Sequence, residues 1–449
     1  MIEESNEKVI HVVISGAGIV GLVLALALKK HVGVKAEIYE KASTFEDNVG
    51  AGICMFPNGL RVIRDISPDL LEQIRRCGYS LLVRRFERHD GEGMIEADEN
   101  ARHRDTSGEL HAIGICRWRL QKVLYNAVLD QGINIQFSKK TETVERMNDC
   151  IKLTFADGTN CCTRILFGVD GSNSTIRRVI LSKKRYELNY TGVTCIMGIA
   201  NDFPVERGVS FPSSSTTKCH ACFFPTQQNE QCFQFYFPVQ AENNEGDWNV
   251  LTDKMSKLEC EDLAKRLRDD GWHEKYLAPL THVEKAVRIG FCKLRPHLKK
   301  LVYTTHNKKS FAVLVGDAAH PPVPYTGQGA QLGIEDAGVI VLLLKQIYPN
   351  IAKENTTETF QSNTFKDAMD LYENMRAPRT KAILDQAHTM GAMQQRRASN
   401  ERYNAMKEKM LSRDFFFHQN LPIYDDATKY DYCLDVQNTL QKMDGPKTA

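Results

Sequence analysis

The stretch Val9-Ile10-His11-Val12-Val13-Ile14-Ser15-Gly16-Ala17-Gly18-Ile19-Val20-Gly21 decides the fold. Its first half is a short β-branched run, suited to a strand buried on both faces of a parallel sheet. Its second half is a Gly-x-Gly-x-x-Gly turn leading into Leu22-Val23-Leu24-Ala25-Leu26-Ala27-Leu28-Lys29-Lys30, an apolar helix closed by two lysines. In such a unit Gly16 permits the tight turn, Gly18 lets a pyrophosphate approach the backbone, and Gly21 lets helix pack closely on strand. Free N–H groups at the helix start then face the phosphates. A second strand, Ala36-Glu37-Ile38-Tyr39, ends at Glu40, nineteen positions after Gly21, where a carboxylate can accept both hydroxyls of an adenosine ribose. Glycine turns also occur for purely structural reasons, but strand, turn, helix, second strand and acid in register point to dinucleotide binding. They do not separate FAD from NAD.

Around this unit the chain runs to 449 residues, 42% of them hydrophobic and 25% charged. That is enough for two or three domains of about 150 residues with a large shared core, and it excludes wholesale disorder. A net charge of +2 gives no reason to expect nucleic acid or an acidic membrane surface as partner. No apolar run reaches about 18 residues, so no membrane span is expected. The acidic, polar start Met1-Ile2-Glu3-Glu4-Ser5 resembles neither a signal nor a transit peptide, which favours the cytoplasm. Thirteen scattered cysteines, including the adjacent Cys161 and Cys162, read as reduced thiols. Cys219-His220-Ala221-Cys222 has no second pair at zinc spacing, so no metal site is expected. Neither His-Glu-x-x-His nor Gly-x-Ser-x-Gly occurs, which leaves metalloprotease and esterase readings without support.

Two further segments narrow the cofactor. Ile165-Leu166-Phe167-Gly168-Val169-Asp170-Gly171-Ser172-Asn173-Ser174-Thr175-Ile176-Arg177-Arg178 reads as a buried strand, a turn and a helix start. Ser310-Phe311-Ala312-Val313-Leu314-Val315-Gly316-Asp317-Ala318-Ala319-His320 is a second buried strand, followed by Pro321 to Gln331 and a helix from Leu332 to Leu344. With the N-terminal fingerprint and the later Tyr372-Glu373-Asn374-Met375-Arg376-Ala377-Pro378-Arg379, these segments resemble, in order and over most of the chain, the class A flavoprotein monooxygenases. That family includes the para-hydroxybenzoate, salicylate and kynurenine hydroxylases and related epoxidases. No second complete Gly-x-Gly-x-x-Gly unit follows residue 21, unlike the disulfide reductases, which carry two.

The resemblance implies an α/β fold: a Rossmann-type, GR2-like FAD-binding domain, an antiparallel-sheet substrate domain and C-terminal helices. The expected division is a discontinuous FAD-binding domain (1-76, 104-178 and 286-345), a substrate domain (77-103 and 179-285) and a helical region (346-449). Asp317 would accept a hydrogen bond from the ribityl chain. The loop with Pro324, Gly327, Gly329 and Ala330 would aim a helix start at the pyrimidine edge of the isoalloxazine. Asp170 would lie near FAD and the passing nicotinamide, held in place with help from Arg177, or else merely cap the next helix. Val49-Gly50-Ala51-Gly52-Ile53 would run along the flavin, with Ala51 and Gly52 letting backbone come close. Arg117 would reach the cofactor from a helix start, or else form a salt bridge independent of any phosphate, whereas Arg119 reads as solvated.

Segments such as Val193 to Ile199 and Cys232 to Val239 read as antiparallel strands, and Cys260 to Asp270 as an amphipathic helix. In the family this sheet roofs the flavin. Tyr236, between Phe235 and Phe237, is the one candidate catalytic residue, placed to hydrogen-bond a substrate hydroxyl or to fill a plain sheet position. The chain after Leu344 reads as charged helices and, from about Pro422, a polar tail; packing and a homodimer contact are its expected roles.

The implied chemistry is reduction of FAD by NADH or NADPH, addition of O2 at flavin C4a, and passage of one oxygen from that hydroperoxide to a phenol-like small molecule. Epoxidation of a polyene or prenyl substrate, a non-oxygenating flavin reductase or oxidase, and an FAD-holding module without turnover are the alternatives.

Overall fold

The computed structural model describes residues 9–45, 50–92, 94–98, 110–181, 188–214, 217–239, 249–294, 296–353, 360–394 and 427–444. Val9–Ser15 forms the expected strand and pairs in parallel with Asn160–Gly168 on one side and Glu37–Tyr39 on the other. Phe311–Leu314 pairs in parallel beyond Asn160–Gly168, and Ile135–Gln136 beyond Glu37–Tyr39. Val302–Thr304 closes one edge of this first sheet. Val12, Val13, Ile14, Ile165, Leu166 and Phe167 are all buried, so consecutive side chains are covered on both faces. That explains why the strands read as unbroken apolar runs rather than alternating ones.

The helix Ile19–Val32 leaves the first strand and packs against Gly329–Ile347 and Arg117–Asp130. A sheet of this topology gathers the carboxyl ends of its parallel strands at one rim, where ligands bind. Ser15, Tyr39, Gly168 and Leu314 end their strands there, and the loops after them carry the residues singled out above.

The second sheet runs Asn249–Val250, Val283–Leu294, Leu188–Ala200, Glu230–Pro238, His220–Gln227, Gly208–Ser213, Val83–Arg88 and Met94–Asp98. It is antiparallel apart from the Gly208–Ser213 and Val83–Arg88 pair. Strand alternation sorts its side chains. Ala221, Phe223, Phe233 and Phe235 pack with Trp272 and the helix Asp253–Asp269, while Phe224, Cys232 and Tyr236 pack with Ala51, Phe56 and Val323. The sheet therefore roofs the rim of the first one, as expected. Residues 286–294, expected with the FAD-binding segments, pair instead into this roof.

A small sheet of Gly52–Met55, Ile113–Cys116 and Tyr79–Ser80 lies between the two. Farther on, Ser362–Gln394 is one helix with Pro378 inside it. The expected polar tail is corrected in its described part: Tyr432–Asp444 is a helix, and its Tyr432 and Val436 are buried. Tyr432 lies over Gly338, where a Cβ would meet its ring at 2.8 Å, and its hydroxyl donates to Asp65 at 2.8 Å. Among the described residues no helix is long and apolar enough to cross a membrane.

Candidate cofactor and active site

The glycine turn is shaped by what surrounds each glycine. Gly16 has φ +110°, and a Cβ there would lie 2.4 Å from the Val169 carbonyl oxygen. At Gly21 a Cβ would sit 2.0 Å from the Gly16 oxygen, so helix and turn touch through bare backbone. At Gly18 nothing stands within 4 Å. Gly18 is also the N-cap of the helix and supplies no side-chain cap, which leaves N–H groups of the first turn available to an anion. Glu40, 9% exposed, accepts from the Ala17 N–H at 2.7 Å and the Ala42 N–H at 2.9 Å. Its carboxylate is thereby fixed at the end of the second strand with lone pairs to spare.

The three distant stretches meet at this rim. Arg177, 2% exposed, donates to the Ala318 oxygen at 2.9 Å, the Asp317 oxygen at 3.3 Å and the Ser172 oxygen, so it ties the Asp-Gly turn to the Gly-Asp turn. Desolvation lowers its pKa to about 10. Asp170 accepts from the Ile176 N–H at 3.1 Å, which is helix capping, yet its Oδ1 is buried with no partner. Burial raises its pKa. Asp317 is likewise raised by burial, against the pull of His320, Arg117 and Arg177. Arg117 is lowered by desolvation and feels both Asp317 and Glu40, and its backbone N–H bonds the Ala51 oxygen at 3.0 Å. Glu40, Ala51, Arg117, Asp170 and Asp317 thus share one neighbourhood.

The loop beyond His320 completes the cradle. Pro324–Thr326 is a 3-10 turn, Gly327 takes the left-handed conformation at φ 64°, and Gly329 and Ala330 open the long helix without a side-chain cap. Thr326 Oγ1, Gln328 Nε2 and Gln331 Oε1 are buried around it without partners. Each such atom costs about 1–3 kcal/mol if left unpaired. Orphaned polar atoms around an open, N–H-rich rim fit a large polar ligand with a phosphate bridge, and FAD has those features.

Beneath this loop lies a charged network that sequence reading missed. Glu335 and Asp336 are fully buried on the long helix. Arg376 reaches both, at 2.8 Å and 2.6 Å, and Arg379 grips Glu335 with two bonds of 2.8 Å and 2.7 Å. Asp336 also accepts from the Gly316 N–H at 2.9 Å and pairs with His320 at 2.6 Å, while Asn58 donates to Glu335 at 2.6 Å and Gln328 at 2.8 Å. Adjacent acids inside an apolar helix, with arginines three apart farther on, were the available signal.

Tyr236 is buried on the face of the roof that meets the cofactor loops. Its ring stacks on His220 at 4.6 Å and lies 5.7 Å from Phe291 and 5.9 Å from Tyr325. His220 is held neutral, its pKa lowered to about 3 by burial. The two thiols of the Cys-x-x-Cys segment pack on opposite sides of their strand, Cys219 with Phe223 and Cys222 with Tyr236. Arg119, expected in solvent, instead grips Glu230 with two 2.5 Å bonds, because the hairpin tip of the roof descends onto its helix. Gly52 has a Cβ direction that points at Cys232 and Phe224, 2.7 Å from each, so its smallness serves contact with the roof. Val49 lies outside the described residues.

Glu40→Ala is expected to lower FAD occupancy of the purified protein about tenfold, the scale of one charge-assisted hydrogen bond. Unchanged flavin absorbance per mole of protein would refute the ribose assignment.

Known proteins agree with this geometry. The family profile described as FAD binding domain matches residues 9–387. A Gibberella moniliformis FAD-dependent monooxygenase is 26% identical, covering 87% of this chain and 88% of its own. The 3-hydroxybenzoate 6-hydroxylase of Klebsiella oxytoca is 24% identical over 86% and 88% of the two chains. Among solved structures, Klebsiella pneumoniae HpxO complexed with FAD and uric acid superposes with TM-score 0.70 at 19% identity, covering 98% of each chain. With the family profile matching most of the chain and FAD-dependent monooxygenases similar to it over more than four fifths of its length, the chain belongs to the FAD-binding class A flavoprotein monooxygenase family, and is an oxidoreductase that carries FAD.

Proposed function

We propose that the protein consumes NADPH or NADH and inserts one atom of O2 into a phenol-like aromatic small molecule. The observation that carries this reading is the position of Tyr236, His220, Phe291 and Tyr325. The first three lie on the roof and Tyr325 on the Pro324–Thr326 turn, and together they form a neutral, ring-lined group beside Ala51 and Val323. Relatives such as the 3-amino-4-hydroxybenzoate 2-monooxygenase of Streptomyces cremeus, 25% identical, support an aromatic substrate.

Bound FAD would supply the path from the nicotinamide donor to O2. The electron balance is simple: two electrons from NAD(P)H and two protons reduce one oxygen atom to water, and the other enters a ring C–H bond. The chain's part is to hold and to exclude. Gly18 and the first helix turn would seat the pyrophosphate, Glu40 the ribose, Asp317 the ribityl chain, and the helix start at Gly329 and Ala330 the pyrimidine edge. The roof would keep bulk water from the reacting centre. Tyr236 would hydrogen-bond the substrate hydroxyl.

The division into FAD-binding, roof and C-terminal helical parts, a cytoplasmic location and a homodimer belong to the same reading. Exposed Leu434 and Met443 on the last helix are the side chains a dimer contact would cover.

Anaerobic mixing of holoenzyme with NADPH or NADH across a panel of phenols tests the function. Phenols that serve as substrates should speed flavin bleaching at least about tenfold, the scale of one hydrogen bond that strengthens in the transition state. In air they should yield hydroxylated product with one labelled oxygen from O2. Rapid bleaching with peroxide as the sole oxygen product would reject the reading in favour of an oxidase.

A further inference from the structure

We propose that Gln234 is a positioning residue: it holds the Gly52 peptide under the roof and turns the Tyr236 hydroxyl so that it accepts, rather than donates, a hydrogen bond from substrate. The proposal deepens the function proposed above and rests on the Gly50 to Ile53 segment running along the flavin, as the family resemblance implies.

Alternate residues of the roof strand Glu230–Pro238 point the same way, and Cys232, Gln234 and Tyr236 all point down. Below them, Gly52–Met55 is an edge strand that, among the described residues, pairs with Ile113–Cys116 alone. The roof takes up its other edge with side chains. Gly52 N–H donates to Cys232 Sγ at 3.2 Å, and Gln234 Nε2 donates to the Gly52 oxygen at 3.4 Å. Side chains can reach because Gly52 has no Cβ; one would stand 2.7 Å from the Cys232 Cβ. The Arg119 and Glu230 pair pins the start of the same strand to the neighbouring helix.

The directions of these bonds decide what Tyr236 can offer. A carbonyl oxygen only accepts, so the Gly52 oxygen obliges Gln234 to present its NH2 group downward and its Oε1 upward. Oε1 in turn accepts from the Tyr236 hydroxyl. The single phenolic proton is then committed, and the Tyr236 oxygen offers only lone pairs to anything else. His220, stacked on the same ring and held neutral by burial, adds no positive charge. A substrate O–H or N–H arriving at Tyr236 extends a chain in which every proton points from the pocket to Gly52, and aligned bonds strengthen one another. A phenolate, carboxylate or ether would have to reverse Tyr236 and break the chain. The site therefore selects a neutral ring bearing a donor, and its occupancy is felt at the Gly52 peptide.

The decisive measurement uses substrate-free holoenzyme. Gln234→Leu loses both bonds, and Gln234→Glu keeps the acceptor for Tyr236 but sets a carboxylate oxygen against the Gly52 carbonyl. Both variants should retain FAD and shift its visible band and fluorescence in the same way, while Tyr236→Phe leaves them close to wild type. Spectra of the Gln234 variants that superpose on wild type overturn the proposal. Titration of phenols and their methyl ethers tests the acceptor assignment. Wild type should bind phenols about tenfold more tightly, as one buried hydrogen bond allows, and Gln234→Leu should lose the preference. Equal binding of ethers by wild type, or an unchanged preference in the variant, overturns it. Because the spectral comparison needs no turnover, it judges Gln234 even where no phenol is hydroxylated, an outcome that counts against the proposed function alone.

Discussion

Replacing Arg376 by Met should cost about 3–5 kcal/mol of folding stability, the penalty for stripping one partner from buried charges. Arg376 is 0% exposed and lies between Glu335 and Asp336, which are equally buried. With it gone, Arg379 still answers Glu335 and His320 still answers Asp336, but two carboxylates on adjacent residues would share too little positive charge. Loss of the 3.0 Å bond from the Arg376 Nη2 to the Leu332 oxygen adds to the cost. Arg376→Lys should recover only part of it, since a single ammonium cannot reproduce the planar fork. The urea midpoint measures this, and a variant as stable as wild type would show that the network is not structural.

The same network sets an acid limit. Burial pushes Asp336 up, but His320 and Arg376 outweigh it and hold its pKa at about 2, below the ordinary 3.8. A depressed carboxylate contributes stability that is complete above its unfolded pKa and disappears as pH falls through the folded one. Stability should therefore decline between about pH 4 and pH 2, and this part of the decline should be smaller in Arg376→Met.

The second large effect is at Gly21. A Val there would drive its Cβ into the Gly16 carbonyl, 2.0 Å away, and neither backbone can yield without opening the turn. FAD affinity should fall by at least about a hundredfold, near 3 kcal/mol, and the protein should emerge colourless and less stable. Gly18→Ala separates the two consequences. Its Cβ enters open space, so apoprotein stability should hold while FAD binding weakens, because the methyl group occupies the approach of the phosphates. Full flavin content in Gly18→Ala would remove the pyrophosphate from that turn.

What was legible in the sequence is what depends on short spacing. The turn at Gly16 to Gly21, the acid at Glu40 and the strand ends at Asp170 and Asp317 each declare themselves within about twenty residues, because a strand, a tight turn and a helix start demand particular residues in sequence. Alternation also placed Tyr236 opposite Phe235 and Phe237. Pairings across long separations left no such trace. Arg119 looks like any helix-surface arginine until the hairpin carrying Glu230 arrives, and nothing near Gly52 in the sequence announces that Cys232 and Phe224 press on it. Glu335 and Asp336 could be flagged as odd in an apolar helix, but only the fold brings Arg376 and Arg379 to them. The docking of Tyr432 over Gly338 is equally invisible, because a glycine in a helix does not reveal which ring needs its space.

The first sheet has a consequence for biosynthesis. Its three adjacent central strands come from Val9–Ser15, Asn160–Gly168 and Phe311–Leu314, and each pairing closes a loop of well over a hundred residues. Loops of that length are slow to close. A chain still emerging from the ribosome can shape the Gly16 turn early, yet has neither Asp317 nor the helix from Gly329 to set against it. Cofactor capture is thus confined to a late stage of synthesis, and until then the apolar strand Asn160–Gly168 waits without its Phe311–Leu314 neighbour. Scarce flavin in the cell would be expressed as aggregation or degradation of newly made chains before it appeared as lost activity.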